Sequence, residues 1–564
     1  MKRLLKNGTV VNVFTGELEE VNVLIDEDKI IGVGGYYTES DADVTDDVSG
    51  KFICPGFIDG HIHIESSFLT PAEFARACVP HGTTAIIADC HEIANVCGSD
   101  GINYMIEASR GLPLDVYFAI PSCVPATDFD EAGARIEAKD IEPFYSNPKV
   151  VGLGEVMNYV GVVSGDTSVL DKVNSALSHN LTVNGHAPLL SGRELDKYIS
   201  AGIRDDHECT LLDEAKERIR KGQKVMIRQG TAARNLQSLL PLFDEPWASH
   251  CLIVSDDKHP AELISGGHID EIIRLAVQGG KSAITAIKMA TLQAAAHFGL
   301  KDIGAVAPSY KADLVVLDSL DDVKVSTVYK NGKMVAENGN ALDFKIPEIS
   351  PQLDSVVRNS FHIGKLKKED FIINESGKKN CRVIELVKNQ LITNKLITEI
   401  DFDTNNGIDI NRDILKLAVL ERHNSTGHIG LGFVNGISME YGAIAASVSH
   451  DSHNLIVIGT NEDDMVIVAN RIRELGGGMV SANNGQIYAE MPLPIAGIMT
   501  DAPAHIAAQQ NEQVRKSVYA LGADDHIAPF MTMAFVSLPV IPHLKMTTNG
   551  LIDVDKFELV PLIV

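Results

Sequence analysis

Positive charge is scarce in this 564-residue chain: 49 lysines and arginines face 76 aspartates and glutamates, for a formal net charge of −27. That balance argues against a broad basic surface for nucleic acid or an anionic membrane. A neutral or cationic small ligand fits it better. Long apolar runs are missing too, and no uninterrupted stretch is long enough to span a bilayer. The opening Met1-Lys2-Arg3-Leu4-Leu5-Lys6-Asn7-Gly8 has a basic end without the apolar centre of a signal peptide, so a cytoplasmic protein is expected. Only eight cysteines occur, none spaced as Cys-x-x-Cys, and most lie inside apolar runs. They read as small core residues in a reducing compartment, which excludes a disulfide framework or a zinc ribbon. Internal repeats and extended low-complexity tracts are absent as well.

What is present is an ordinary globular composition, 45% hydrophobic and 22% charged, in a chain long enough for two or three cores. Residues 4–35 alternate short β-rich runs with turns and read as a small β-sheet. The same texture returns at 312–317 and 325–335, and both regions carry a Lys-Asn-Gly turn. Because the ends of one domain tend to lie close together, the two regions are expected to pair into one sandwich, residues 1–55 with 303–345. Between them, strand-like runs alternate with helical stretches, the pattern of βα units around a parallel sheet. Beyond residue 346 a charged connector at 365–370 leads into a mixed α+β segment, 346–564. That segment includes a helix over 461–475, stopped by Gly476-Gly477-Gly478.

The run Pro55-Gly56-Phe57-Ile58-Asp59-Gly60-His61-Ile62-His63 ends an apolar stretch with two imidazoles two residues apart. On a strand, period-two geometry sends both rings to one side, which makes half of a metal site on a rigid element. Eight strands can be counted over 56–302, each ending in polar residues: His61/His63, Asp89-Cys90-His91-Glu92, Pro121-Ser122-Cys123, Glu155, His186, Asp206-His207-Glu208, Arg228-Gln229 and Asp256-Asp257. In a (β/α)8 barrel those ends form one face, where active sites are built. Residues far apart in sequence would then meet.

The signature at 55–63, followed by Glu65-Ser66-Ser67, resembles the first strand of the amidohydrolase superfamily, metal-dependent hydrolases on a (β/α)8 barrel. The resemblance implies that His61 and His63 hold one divalent ion, that His186 and His207 hold a second, and that Glu155 bridges them where many members carry a carbamylated lysine. It implies that Asp256 closes strand eight, binds metal and shuttles a proton. Asp256 is preferred to Asp257 because it directly follows the apolar run and a serine. The glutamate at 155 fits the adenine deaminase branch. Asp89-Cys90-His91-Glu92-Ile93-Ala94-Asn95-Val96 resembles that branch's strand-two motif, and the segments 422–433 and 449–454 resemble its C-terminal domain. On this basis Asp89, His91 and Asp257 are expected to contact substrate, and Glu92 is a candidate for protonating a purine ring nitrogen. The expected cofactor is a pair of divalent ions, manganese first, iron second and zinc third. Mixed histidine and carboxylate ligands do not by themselves choose among these ions.

The chemistry expected of such a site is hydrolytic deamination: two cations bring a water near neutrality in pKa, and Asp256 passes its proton to the departing nitrogen. The combined His-x-Glu and Pro-Cys-x-x-Cys pattern of the His/Cys/Cys zinc deaminases is absent, since no Pro-Cys-x-x-Cys occurs. The expected partners are therefore adenine and water, with a homodimer as the expected assembly. Two further readings remain open: an amidohydrolase acting on another heterocycle or a cyclic amide, and a non-catalytic barrel. A third metal site formed by His450, Asp451 and His453 also stays open, beside a simple hydrogen-bonded turn.

Overall fold

The structure is a computed structural model and describes residues 1–564 except Ala232 and Asn389. Its centre is built from eight strands: β1 Phe57–Ile62, β2 Thr83–Asp89, β3 Asp115–Ile120, β4 Val150–Val156, β5 Thr182–Gly185, β6 Asp205–Asp206, β7 Lys224–Arg228 and β8 Cys251–Val254. β1 to β5 pair in sequence order as one parallel sheet, and β6 to β8 pair as another. The two continue one another, because Arg204 donates to the Val183 carbonyl and the Asp205 carboxylate accepts from Gly185 N and Asn184 Nδ2, both at 2.8 Å.

The curl returns to its start at β8. Asp256 N donates to the His61 carbonyl at 3.0 Å, and His63 N donates to the Asp256 carbonyl at 3.1 Å. Below this junction the Asp59 carboxylate accepts from Ser255 N and Ser255 Oγ, with His268 Nε2 2.9 Å away. The aspartate of the 55–63 signature is thus a tie between the first and last strands. β1, β2 and β4 are buried along their whole length, as strands covered on both faces must be. The helices that cover them carry an apolar stripe; in Ile269–Gln278 the buried apolar residues are Ile269, Ile272, Ile273 and Ala276, a period of three to four. β6 is shorter than the polar run at 206–208 implied. Its ladder ends at Asp206, and His207 and Glu208 follow in a loop.

Residues 4–35 do not form the single sheet their texture implied. The Asn7-Gly8 turn, with Asn7 at a φ of 62°, breaks the run, so Lys2–Lys6 and Thr9–Val11 enter different sheets. Lys2–Lys6 joins a four-stranded sheet with 22–26, 29–34 and 44–47. Thr9–Val11 joins a seven-stranded sheet in which Phe52–Pro55 pairs antiparallel with Leu314–Leu317. Leu5, Ile25, Ile53, Leu314 and Val316 share one apolar cluster between these sheets.

The later part of the chain forms an eight-stranded sheet with the helix Glu462–Leu475 against it. Asn461 caps that helix, its Oδ1 accepting from Asp464 N at 2.8 Å, and Gly476 ends it at a φ of 73°. Gly478 already starts the next strand, Gly478–Asn483, so the triple glycine is a helix stop that runs straight into the sheet. This part docks on a helix and a loop that flank the central strands. Ala504 N donates to Glu73 Oε2, Thr548 Oγ1 to Glu131 Oε2 and Asn454 Nδ2 to the Glu131 carbonyl. Among the described residues no helix is long and apolar enough to cross a membrane.

Candidate metal centre

His61 and His63 lie at the end of β1 with their rings on one side, as the period of a strand requires. Their Nε2 atoms are 3.5 and 3.1 Å from Asp256 Oδ1. His63 is held by its other nitrogen, Nδ1, which donates to the Asp89 carbonyl at 2.9 Å. Glu155, near the end of β4, stands between the two halves. Its Oε1 is 4.0 and 3.2 Å from His61 and His63 Nε2, while its Oε2 faces His186 Nδ1 at 2.5 Å and His207 Nε2 at 3.2 Å. One carboxylate thus divides its oxygens between two pairs of imidazoles. The backbone of Glu155 is pinned by Asp89, whose Oδ2 accepts its N–H at 2.9 Å. A Cβ on the preceding Gly154 would collide with that same carboxylate, which is why glycine stands there.

The loops that carry His186 and His207 are fixed from below. Tyr198 Oη accepts from His186 N and donates to the Val156 carbonyl, both at 2.9 Å. Asp206 accepts from Ala187 N through one oxygen and from Glu208 N through the other, with Arg218 beside it at 3.3 Å. Asp256 takes a φ of 63°, a conformation costly for a residue other than glycine.

Electrostatically the cradle is short of cations. Burial alone would push the Glu155 carboxyl up, but the His186 and His207 charges outweigh it and hold it well below the usual carboxylate range. Burial would push His207 down, yet Glu155 and Asp256 raise it to about 9. His63 is likewise raised, burial being overcome by Asp256 and Glu155. The same carboxylates would balance a cation held among these imidazoles. His61 Nε2 is buried with no hydrogen-bond partner. His61, His63 and Asp256, and again His61, Glu155 and His207, bring their donor atoms within 4.8 Å of one another. The donor set fits divalent ions.

A second cluster adjoins the first. His91 Nδ1 lies 3.5 Å from Asp89 Oδ1 and 3.6 Å from Glu155 Oε1. Ser66 Oγ is 2.6 Å from both Glu92 Oε1 and Asp257 Oδ1. Glu65 sits beside Glu92, and burial together with the Glu92 charge pushes its carboxyl up to about 8. The far wall comes from the turn after Ala443–Ala446: Asp451 Oδ1 is 3.8 Å from His91 Nε2, His450 Nδ1 3.8 Å from Glu92 Oε1, and His453 Nε2 3.6 Å from Glu92 Oε2. These contacts run to the same chain's central strands. Glu92, His450 and His453 are therefore also spaced to hold an ion. Against it, Ser449 N donates to His453 Nδ1 at 3.3 Å, which leaves the proton on Nε2, the nitrogen a metal would need. A surface cavity of about 1100 Å³, lined by Lys378, Glu399, Asp401 and Arg412, contains none of these groups.

Glu65, Ser66, Glu208 and Arg228 join the site without having been singled out from sequence. Arg228 and Glu208 each stand at a strand end, which was the available signal. Glu65 and Ser66 follow the His-x-His pair directly.

Residues 52–335, which contain every cradle residue, match the amidohydrolase family, and residues 390–558, which contain His450, Asp451 and His453, match the adenine deaminase C-terminal domain. Over 562 residues the chain is 43% identical to adenine deaminase 2 of Carboxydothermus hydrogenoformans, covering 99% of this chain and 96% of that protein. The chain belongs to the adenine deaminase family. Two further family members are similar over comparable lengths. The adenine deaminase of Desulfatibacillum aliphaticivorans is 44% identical, covering 99% of this chain and 96% of that one, and the adenine deaminase of Kosmotoga olearia is 42% identical, covering 100% and 96%.

Proposed function

We propose that this protein hydrolyses adenine to hypoxanthine and ammonia, with two divalent ions, manganese before iron and zinc, held by His61, His63, Glu155, His186, His207 and Asp256. The observation that carries the reading is the division of the Glu155 oxygens between two imidazole pairs, in a chain 43% identical to a named adenine deaminase along nearly its whole length. When bound there, such ions would lower the pKa of a water toward neutrality and polarise the position under attack.

The side chains do the rest. Glu155 keeps the two halves of the cradle at one spacing. Asp256 Oδ1, beside His61 and His63, takes the proton of the attacking water and returns it to the leaving nitrogen, so water adds at the ring carbon and ammonia departs. Glu92, whose Oε2 is buried and has no hydrogen-bond partner among the described residues, would protonate a ring nitrogen and be reprotonated from the second O–H bond of the adding water. His91, Asp89 and Asp257 line the substrate side, and His450, Asp451 and His453 close it against bulk water. The architecture that goes with this reading is a closed (β/α)8 barrel over 56–302, a β-sandwich from 1–55 and 303–345, and an α+β domain over 346–564. The assembly is a cytoplasmic homodimer, and sedimentation of the purified protein measures that part.

The test is ammonia release by manganese-loaded protein from adenine, 6-methylaminopurine, guanine, cytosine and dihydroorotate, with metal content measured on the same sample. Turnover confined to adenine supports the reading. Preferred turnover of another compound would move it to a different heterocycle or cyclic amide. No turnover and no bound metal would return the non-catalytic barrel.

A further inference from the structure

The Arg228 guanidinium lies at the end of β7, 5% exposed, and meets three carboxylates. Its Nε contacts Asp256 Oδ2, its Nη1 contacts Glu208 Oε1, and its Nη2 is 3.3 Å from Asp257 Oδ2. The other oxygen of Asp257 is taken by Ser66. The consequence for Asp256 is an unequal division: Oδ2 is in ion-pair contact with Arg228 Nε, without hydrogen-bond geometry, and Oδ1 alone faces His61 and His63. The consequence for Glu208 is restraint. Its Oε1 lies 3.4 Å from His207 Nε2 and 3.8 Å from His186 Nδ1, already at ligand spacing with that pair, so the guanidinium competes with an ion for it.

We propose that Arg228 is a positioning residue which turns Asp256 Oδ1 toward the metal cradle and withholds Glu208 from it. The inference rests on the deamination reading, in which Asp256 Oδ1 carries the proton. Arginine is required because its planar fork offers donors in several directions at once, whereas lysine presents one compact charge. Asp256 at a φ of 63° gains from such a clamp, since its backbone is held in a sparsely populated conformation.

The test uses full-length, manganese-loaded protein: wild type, Arg228→Ala, Arg228→Lys and the double variant Arg228→Ala/Glu208→Gln, each measured for kcat, KM, manganese content and manganese EPR spectrum. With Arg228→Ala, kcat should fall about 100-fold while KM for adenine moves less than about threefold. Manganese should stay bound with an altered spectrum, and the double variant should recover the wild-type spectrum. Added methylguanidinium should restore part of the lost kcat in a saturable way. Arg228→Lys should remain impaired. A kcat within about threefold of wild type in Arg228→Lys, or an unchanged spectrum in Arg228→Ala, would overturn the proposal. If the alanine variant does not fold, the lysine variant decides. A wild type inactive on adenine would sink the deamination reading instead, while the spectra would still report whether Glu208 is withheld.

Discussion

The two walls of the site are built by different means. The cradle groups stand at or just beyond the ends of strands whose ladders fix the backbone, and their donor atoms approach Glu155 and Asp256 to between 3.1 and 3.2 Å at the closest carboxylate contacts of His63 and His207. The opposite wall is a turn held by side chains from elsewhere, with Arg422 Nε donating to the His453 carbonyl and His423 Nε2 to the Ser452 carbonyl. Its groups stop 3.6 to 3.8 Å short of Glu92 and His91. Among the described residues, buried polar atoms without hydrogen-bond partners occur on both walls: Glu92 Oε2, Asp451 Oδ2 and His453 Nε2 here, His61 Nε2 and Asp256 Oδ2 in the cradle. The closer contacts between charged groups thus sit on the stiff elements and the longer ones on the turn.

Four substitutions and one titration would break or sharpen that contrast. Glu155→Ala removes the carboxylate whose oxygens face both halves of the cradle, so turnover and stable two-metal occupancy should both be lost, as read by metal analysis and ammonia release. Normal metal content would refute the division of its oxygens. Asp256→Asn keeps the shape but not the proton acceptor; most of the metal should remain while kcat falls on the order of 10²–10⁴-fold, the usual worth of a positioned acid–base group. An active Asn variant would shift the proton to Asp257. His453→Ala acts on the softer wall, and kcat/KM should drop about tenfold with metal content unchanged, whereas loss of metal there would make the wall part of the cradle.

The titration concerns the cradle without its ions. His207 is raised to about 9, against an ordinary value near 6.5, so the folded state binds that proton more tightly than the unfolded chain. The stability it contributes is complete below about pH 6.5 and is lost as pH rises through about 9. Melting temperature of chelated protein should therefore fall across that window, and manganese affinity should rise across it as protons leave. A chelated protein equally stable at both ends would contradict the cation deficit. The smallest effect belongs far from both walls. Asn461→Ala should cost about 1 kcal/mol through the lost helix cap, seen in chemical denaturation, with activity retained.

Legibility from sequence follows the same contrast. His61 and His63 were readable because a strand's period of two is local, and Glu155 because an apolar, glycine-rich run led into it. The partition of residues 4–35 between two sheets was not readable. Both sheets use the same β-rich texture, and only pairing with residues 52–55 and 314–317 assigns each strand. β6 misled in the other direction, since polar residues at 206–208 resemble a strand end whether the ladder has two residues or five. The turn at 450–453 announced polarity without a destination, because a loop's target depends on how two domains dock.

Residue types, their order and their placement at strand ends were determined by the sequence alone, because hydrophobic periodicity and turn chemistry are properties of neighbours along the chain. Which oxygen of Glu155 faces which imidazole, which oxygen of Asp256 Arg228 takes, and which carboxylate the 450–453 turn approaches were decided only when the eighth strand returned to the first. Each of those relations joins groups tens to hundreds of residues apart, and no local rule of backbone or side-chain geometry reaches across that distance.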